Sequence, residues 1–198
     1  LDQMTIGLLI HDVLKKIYSP YLNKILTINN LLSMQKKMLS EIKTSLIDSN
    51  IQEIQRGKNL LIIKAVERII KNFLLFEIKD IKRGNQIIIK SLDSPAYTPP
   101  TPLNMSNKNI KVNLRGVIDR IDLYNNTYRI IDYKTGYFEP REIQCMDLSE
   151  LKTKPKILQL LLYAILFHKN HHNTQAPITA GIIHLRTNNF TFHPCSVN

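Results

Sequence analysis

The chain has 198 residues, of which 43% are hydrophobic and 22% charged. That length suits one domain, and the composition excludes a globally disordered chain. The net charge of +11 favours a polyanionic partner such as nucleic acid, although a solvated, lysine-rich surface explains the same charge equally well.

The hydropathy and the cysteines limit the kinds of site and the cellular compartment that we expect. No run of 18 apolar residues is present, so we expect no membrane span. The two cysteines, Cys145 and Cys195, form no C-x-x-C motif, which excludes a zinc ribbon or a complete iron–sulfur site and favours a reducing, cytoplasmic compartment. The chain begins at Leu1 rather than a methionine, and we expect a fragment of a larger polypeptide.

The first eighty residues are predicted to be helical, because apolar residues recur at helical spacing around Leu9–Ile17 and Leu60–Phe73. The segment 22–56 has a weaker pattern and is predicted to form one or two amphipathic helices. From Ile87 onward the pattern changes to β-branched runs. We therefore predict a helical region over 1–80 followed by an α/β core over 87–198, within a single domain.

Within that core, a strand is predicted from Ile87 to about Asp93. The loop expected at 94–102 contains four prolines, which oppose regular structure. Two strands over 112–124 and 128–135, joined by a tight turn at Asn125-Asn126, are predicted next. An apolar, buried helix over 156–168 and two strands over 178–186 and 189–193 complete the predicted elements.

The hairpin carries the most informative residues. With a two-residue turn, Tyr124 lies opposite Thr127, Ile121 opposite Ile130, and Asp122 opposite Arg129. The same register places Asp119 opposite Asp132, with Cβ atoms about 5 Å apart. Lys134 follows two residues after Asp132 and points to the same face.

Two adjacent carboxylates repel each other, and a divalent cation relieves that repulsion. A neighbouring lysine can meet a phosphate oxygen, so Asp119, Asp132 and Lys134 together have the groups that metal-assisted phosphodiester hydrolysis requires. The alternative is a surface hairpin with a charge cluster. Val117, Ile121 and Ile130 are expected to be buried on the same face, which makes unliganded carboxylates there costly.

These motifs resemble a known family. The strings "GVIDRID" and "RIIDYKTG" are similar to the paired nuclease motifs of the RecB-like and AddB-like branch of the PD-(D/E)XK superfamily. Gln159 and Tyr163 match its Q-x-x-x-Y motif, and Gly7 and His11 match its G-x-x-x-H motif. The resemblance implies a central mixed β-sheet flanked by helices, preceded by an N-terminal helical region.

The resemblance also implies the residue roles. Asp119, Asp132 and Lys134 form its catalytic centre, assisted by Gln159 and Tyr163. We expect Gln159 to steady Lys134, and Tyr163 to contact Lys134 or the DNA backbone. Mg²⁺ or Mn²⁺ would be held by a metal-ligand set that comprises His11, Asp119, Asp132 and the backbone carbonyl of Tyr133.

The sequence departs from the family at two points. Relatives often carry a glutamate before the hairpin, where this chain has Asp93, and AddB-like relatives hold an iron–sulfur cluster whose four cysteines are missing here. We expect a DNA exonuclease domain of a helicase–nuclease in recombination and double-strand-break repair, associated with the nucleoid. It would contact DNA through the backbone with little sequence preference. The alternatives are a catalytically silent DNA-binding module and a stand-alone restriction-type endonuclease.

Two further groups of basic residues remain open. Lys152, Lys154 and Lys156 either contact phosphates or belong to a solvated loop. For His168, His171 and His172, which lie in a polar stretch without carboxylates or thiols, we predict no site.

Overall fold

A computed structural model describes residues 3–48, 57–97, 101–105, 108–171, 175–187 and 190–197. The expectations for residues 49–56, Thr98–Pro100, His172 and residue 189 lie outside these ranges. The described helices and strands are α1 (Gln3–Tyr18), α2 (Ile28–Asp48), α3 (Gly57–Lys82), β1 (Ile87–Tyr97), β2 (Thr101–Met105), β3 (Lys108–Val112), β4 (Arg115–Tyr124), β5 (Thr127–Lys134), β6 (Gln144–Cys145), α4 (Pro155–Asn170), β7 (Ile178–His184), β8 (Phe192–Pro194) and β9 (Ser196–Val197).

The central sheet has five strands in the order β1-β4-β5-β7-β8. Strands β5 and β7 are parallel, and the other neighbours are antiparallel. Helix α4 connects the two parallel strands, as such a crossover requires. The predicted mixed sheet flanked by helices is confirmed.

The two faces of the sheet are covered by different helices. One apolar cluster joins α1, α2 and α3 to Ile131, Tyr133 and Ile183, and the other joins α4 to Ile121, Ile130 and Ile182. Alternate residues of β5 and β7 thus enter opposite clusters, as the two-residue period of a strand dictates. Both faces of the central strands are therefore buried.

The proline-rich segment was predicted wrongly. Strand β1 continues past Asp93 to Tyr97, and β2 begins at Thr101. Pro95 lies within β1, opposite Val117. The strand tolerates a residue without an N–H donor because β1 is at the edge of the sheet.

Other boundaries differ by a few residues. Val112 belongs to β3 rather than to the hairpin, and β7 ends at His184. The expected turn at Asn125 and Asn126 is confirmed, with φ of 46° and 67°. Helix α4 is not apolar and buried all round, because Leu158 is 39% and Ile165 46% exposed. Of the described helices, none is both long and apolar enough to cross a membrane.

Candidate active site

The site lies where β4 and β5 stop pairing. The ladder runs from Tyr124–Thr127 to Arg120–Ile131 in the predicted register, one pair short of Asp119 and Asp132. At that point the Asp119 carboxylate takes the place of the ladder, and its Oδ2 accepts a hydrogen bond from the Tyr133 N–H at 2.8 Å. The two strands therefore separate with a carboxylate in the gap.

Strand β1, which pairs with the other edge of β4, is also irregular near Asp119. Its register shifts between Ile89 and Ser91, and its pairing with β4 is interrupted between the pairs Leu92–Arg120 and Ser94–Ile118. Asp93, between them, has a φ of 43°, which few non-glycine residues adopt. Its carboxylate lies 3.0 Å from Lys15 Nζ of α1. Asp93 and His11 both line a cleft of about 710 Å³.

Helix α1 brings His11 to the separated strands. Its Nδ1 lies 3.4 Å from Asp119 Oδ1, and its Nε2 lies 3.2 Å from the Tyr133 carbonyl oxygen. Burial alone would lower the pKa of His11, but the hydrogen bond and charge of Asp119, with the charge of Asp132, raise it. The imidazole thus lies among the oxygen atoms that the sequence predicted as ligands.

Close packing holds α1 against the end of β5. A Cβ on Gly7 would lie 2.8 Å from Thr135 Oγ1, so a larger residue there would require the Thr135 side chain to move. Helix α1 continues through Gly7 without a break, and the neighbour that approaches Gly7 closely is the Thr135 side chain. The spacing from Gly7 to His11 places both residues on the face of α1 toward the site.

Asp132 is a buried carboxylate with incomplete partners. It is 5% exposed, and its Oδ2 lies 2.8 Å from Lys134 Nζ without the geometry of a hydrogen bond. Burial raises its pKa, and the charge of Asp119 adds to that effect against the opposing charge of Lys134. A buried oxygen of this kind fits a cation ligand.

The donor set also suits a hard divalent cation, since it comprises two carboxylates, a carbonyl oxygen and an imidazole. Within the described ranges, no group of three or more His, Cys, Asp or Glu residues is already arranged around a metal position. His11 and Asp119 face each other, and Asp132 faces Lys134.

Helix α4 contributes Tyr163 and Gln159 from the opposite face of the sheet. The Gln159 amide donates a hydrogen bond to the Tyr163 hydroxyl at 2.9 Å. We expected Gln159 to contact Lys134, but the hydrogen bond that the structure describes for it is to Tyr163. The Tyr163 ring lies over Gly116, where a Cβ would come within 2.5 Å of Cε1. Burial raises the pKa of Tyr163, and the charges of Asp132 and Asp119 contribute. The ring therefore lies within electrostatic range of both carboxylates.

A buried charge network lies behind the site, and sequence reasoning found only part of it. The predicted pair of Asp122 and Arg129 is present, with two contacts of 2.9 Å. Arg120, fully buried, also contacts Asp122 at 2.7 Å and Glu77 of α3 at 2.8 Å. The only sequence indication of this contact is that Glu77 interrupts an apolar face of α3, next to Ile78 and near Phe73.

The network extends to the backbone of the site. Arg120 donates to the Tyr133 hydroxyl at 3.3 Å, and the Tyr18 hydroxyl donates to Glu77. The Tyr133 side chain thus belongs to the network, while its backbone N–H contacts Asp119 and its backbone carbonyl contacts His11. The network therefore helps to hold the Tyr133 carbonyl, which the sequence predicted as a metal ligand, in place.

Three expected features have other roles. Val117 is 52% exposed at the mouth of the cleft rather than buried. Lys154 pairs with Glu150, and Lys156, in the first turn of α4, pairs with Glu142 of the preceding segment. Lys152 is exposed to solvent at the end of a short 3-10 helix.

A scan against protein families identifies the chain. The family model of the PD-(D/E)XK nuclease superfamily matches residues 1–195. The chain belongs to this superfamily of nucleases. A search of characterised proteins found no significant match.

Proposed function

We propose that the chain is a metal-dependent DNA exonuclease domain of the RecB-like and AddB-like branch. The observation that carries this proposal is that His11 contacts both Asp119 and the Tyr133 carbonyl where β4 and β5 separate, while Asp132, the residue before Tyr133, pairs with Lys134. The order of the four motifs along the chain supports the branch assignment.

In this proposal His11, Asp119, Asp132 and the Tyr133 carbonyl hold Mg²⁺ or Mn²⁺. When bound, such an ion supplies Lewis-acid polarisation of the phosphate and activation of water. Lys134 exchanges its contact with Asp132 for the scissile phosphate, where its charge stabilises the negative charge that develops. Tyr163, anchored by Gln159, orients the phosphate from the side of α4. The resemblance implies a 5′-phosphate and a 3′-hydroxyl as product ends.

The proposed substrate is DNA, held through its phosphates with little sequence preference. A net charge of +11 attracts polyanions at long range, and the proposed site offers a lysine and a tyrosine rather than a base-reading surface. The proposed context is recombination and double-strand-break repair, as the nuclease domain of a helicase–nuclease. A helicase domain or subunit would then feed DNA to the cleft.

The test compares linear and circular DNA, each with EDTA, Mg²⁺ or Mn²⁺. Asp132→Ala and Lys134→Ala are expected to abolish cleavage, while exposed residues of the same types, changed in Asp147→Asn and Lys169→Ala, leave it intact. Degradation of linear DNA alone supports an exonuclease. If the wild type binds DNA but cuts it with neither metal, the catalytically silent DNA-binding module replaces this proposal.

A further inference from the structure

The segment after β5 presents one aromatic side chain to solvent. Tyr137, three residues beyond Lys134, is 74% exposed. Among residues whose exposure the structure describes, no other aromatic side chain is mostly exposed. The position of this ring, close in sequence to the proposed catalytic lysine, makes it a candidate for contact with the substrate, since an exposed aromatic ring offers an apolar face together with a polar hydroxyl.

The residues on both sides of Tyr137 are anchored. The carbonyl of Gly136 lies 2.8 Å from His184 Nε2. Phe138 is 6% exposed, and its ring packs edge-on against His184 and His193 at centroid distances of 5.7 and 5.5 Å. The backbone is therefore fixed on either side, and the Tyr137 ring extends from a held segment instead of a loose loop.

The orientation of the ring is also restrained. The Tyr137 hydroxyl contacts Glu139, and Glu139 pairs with Arg141, whose side chain is 83% exposed. The ring is thus held at its tip while its faces stay open. A held ring loses little conformational freedom when a flat ligand stacks on it.

We propose that Tyr137 is a stacking platform for an unpaired nucleobase of the DNA strand that enters the active site. This inference rests on the proposed function of Lys134. Three residues of backbone span at most about 11 Å, so the α-carbons of Lys134 and Tyr137 lie within that distance of each other. We therefore place the stacked base a few nucleotides from the scissile phosphate. Base stacking on tyrosine is independent of sequence, which suits a nuclease with little sequence preference.

Binding of a labelled oligothymidylate is the test, measured by fluorescence anisotropy in EDTA so that no cleavage occurs. Tyr137→Ala should weaken binding roughly 5- to 150-fold. Tyr137→Phe, which keeps the ring but loses the contact with Glu139, should retain most of the affinity of the wild type. Leu61→Ala removes a side chain of similar exposure, 68%, from α3 and serves as the control. Because tyrosine carries no charge, the salt dependence of binding should stay unchanged.

An abasic scan separates stacking from an indirect effect. Removing single bases along the oligonucleotide should weaken binding by the wild type at one position, and that effect should vanish in Tyr137→Ala. If Tyr137→Phe is as weak as Tyr137→Ala, the hydroxyl contact with Glu139 is what matters, and the platform is refuted.

Cleavage by the same proteins with Mn²⁺ distinguishes the two proposals. If the wild type cleaves DNA and Tyr137→Ala binds oligothymidylate normally, the platform fails and the nuclease function stands. If Tyr137 governs binding but no variant or wild type cleaves, the platform stands and the nuclease function fails. A wild type that binds no oligothymidylate refutes the platform as well.

Discussion

Replacing Glu77 or Arg120 should cost a large part of the stability of the protein. Arg120 is 0% and Glu77 2% exposed, and their ion pair of 2.8 Å joins α3 to β4. Removing one partner of a buried ion pair leaves an uncompensated charge and typically costs about 3–5 kcal/mol. We therefore expect Arg120→Met, which removes the cation that Glu77 contacts and keeps its hydrogen bond from Tyr18, to lower the free energy of unfolding by about that amount. The corresponding fall in Tm is about 6–20 °C for a chain of this size.

The double variant tests the physical reason. Most of the cost should come from the stranded carboxylate and not from the loss of attraction, since two buried charges replaced together are often tolerated. Glu77→Leu combined with Arg120→Met should therefore be more stable than Arg120→Met alone. Urea denaturation followed by circular dichroism measures both, with the slope m checked for constancy. A loss below about 1 kcal/mol in Arg120→Met, or a double variant less stable than either single one, would falsify the argument.

Three further predictions concern the site itself. Without metal at neutral pH, Asp132→Asn should raise the Tm. Burial and the charge of Asp119 raise the pKa of Asp132 above its unfolded value. Ionisation of Asp132 therefore lowers the stability of the wild type as the pH rises from the unfolded pKa through the folded pKa. A melting series from pH 3 to 7 in which the difference in Tm between variant and wild type does not shrink at low pH would contradict this. Gly116→Ala should force the Tyr163 ring aside and cost about 1–3 kcal/mol by overpacking, with cleavage reduced more than DNA binding; unchanged melting and cleavage would show that the ring has room. His11→Ala should weaken Mn²⁺ binding in calorimetry, and an unchanged affinity would remove His11 from the ligand set.

The hairpin was predictable because its information is local. The two-residue period, the Asn125-Asn126 turn and the pairing of Ile121 with Ile130 fix one register. The end of the ladder before Asp119 was not predictable in the same way. It depends on the Asp119 carboxylate accepting the hydrogen bond of the Tyr133 N–H in place of a backbone carbonyl. It also depends on the contact of His11 in α1 with the Tyr133 carbonyl, across more than a hundred residues of sequence.

The errors have a common physical origin. Val117 and Pro95 were assigned from the properties of single residues, but both lie where edge strand β1 pairs with β4 beside an open cleft. There, apolar residues stay exposed and proline loses no ladder partner. The buried network was missed for a related reason, since Tyr18, Glu77 and Arg120 belong to three elements that meet only in the folded chain.

Helix α1 joins the chemistry of the site to the assembly of the whole fold. One turn packs Gly7 against Thr135, the next presents His11 to the strands, and the last residue, Tyr18, holds Glu77 in the buried network. The strands from Ile87 onward thus carry Asp119 and Asp132, but the contacts from α1 that position Asp119 and the Tyr133 carbonyl come from outside them. A fragment limited to 87–198 would expose one whole face of its sheet and lack the imidazole. Under the proposed function, the N-terminal helices would therefore be required for catalysis, and displacement of α1 would inactivate the site without any change to its carboxylates.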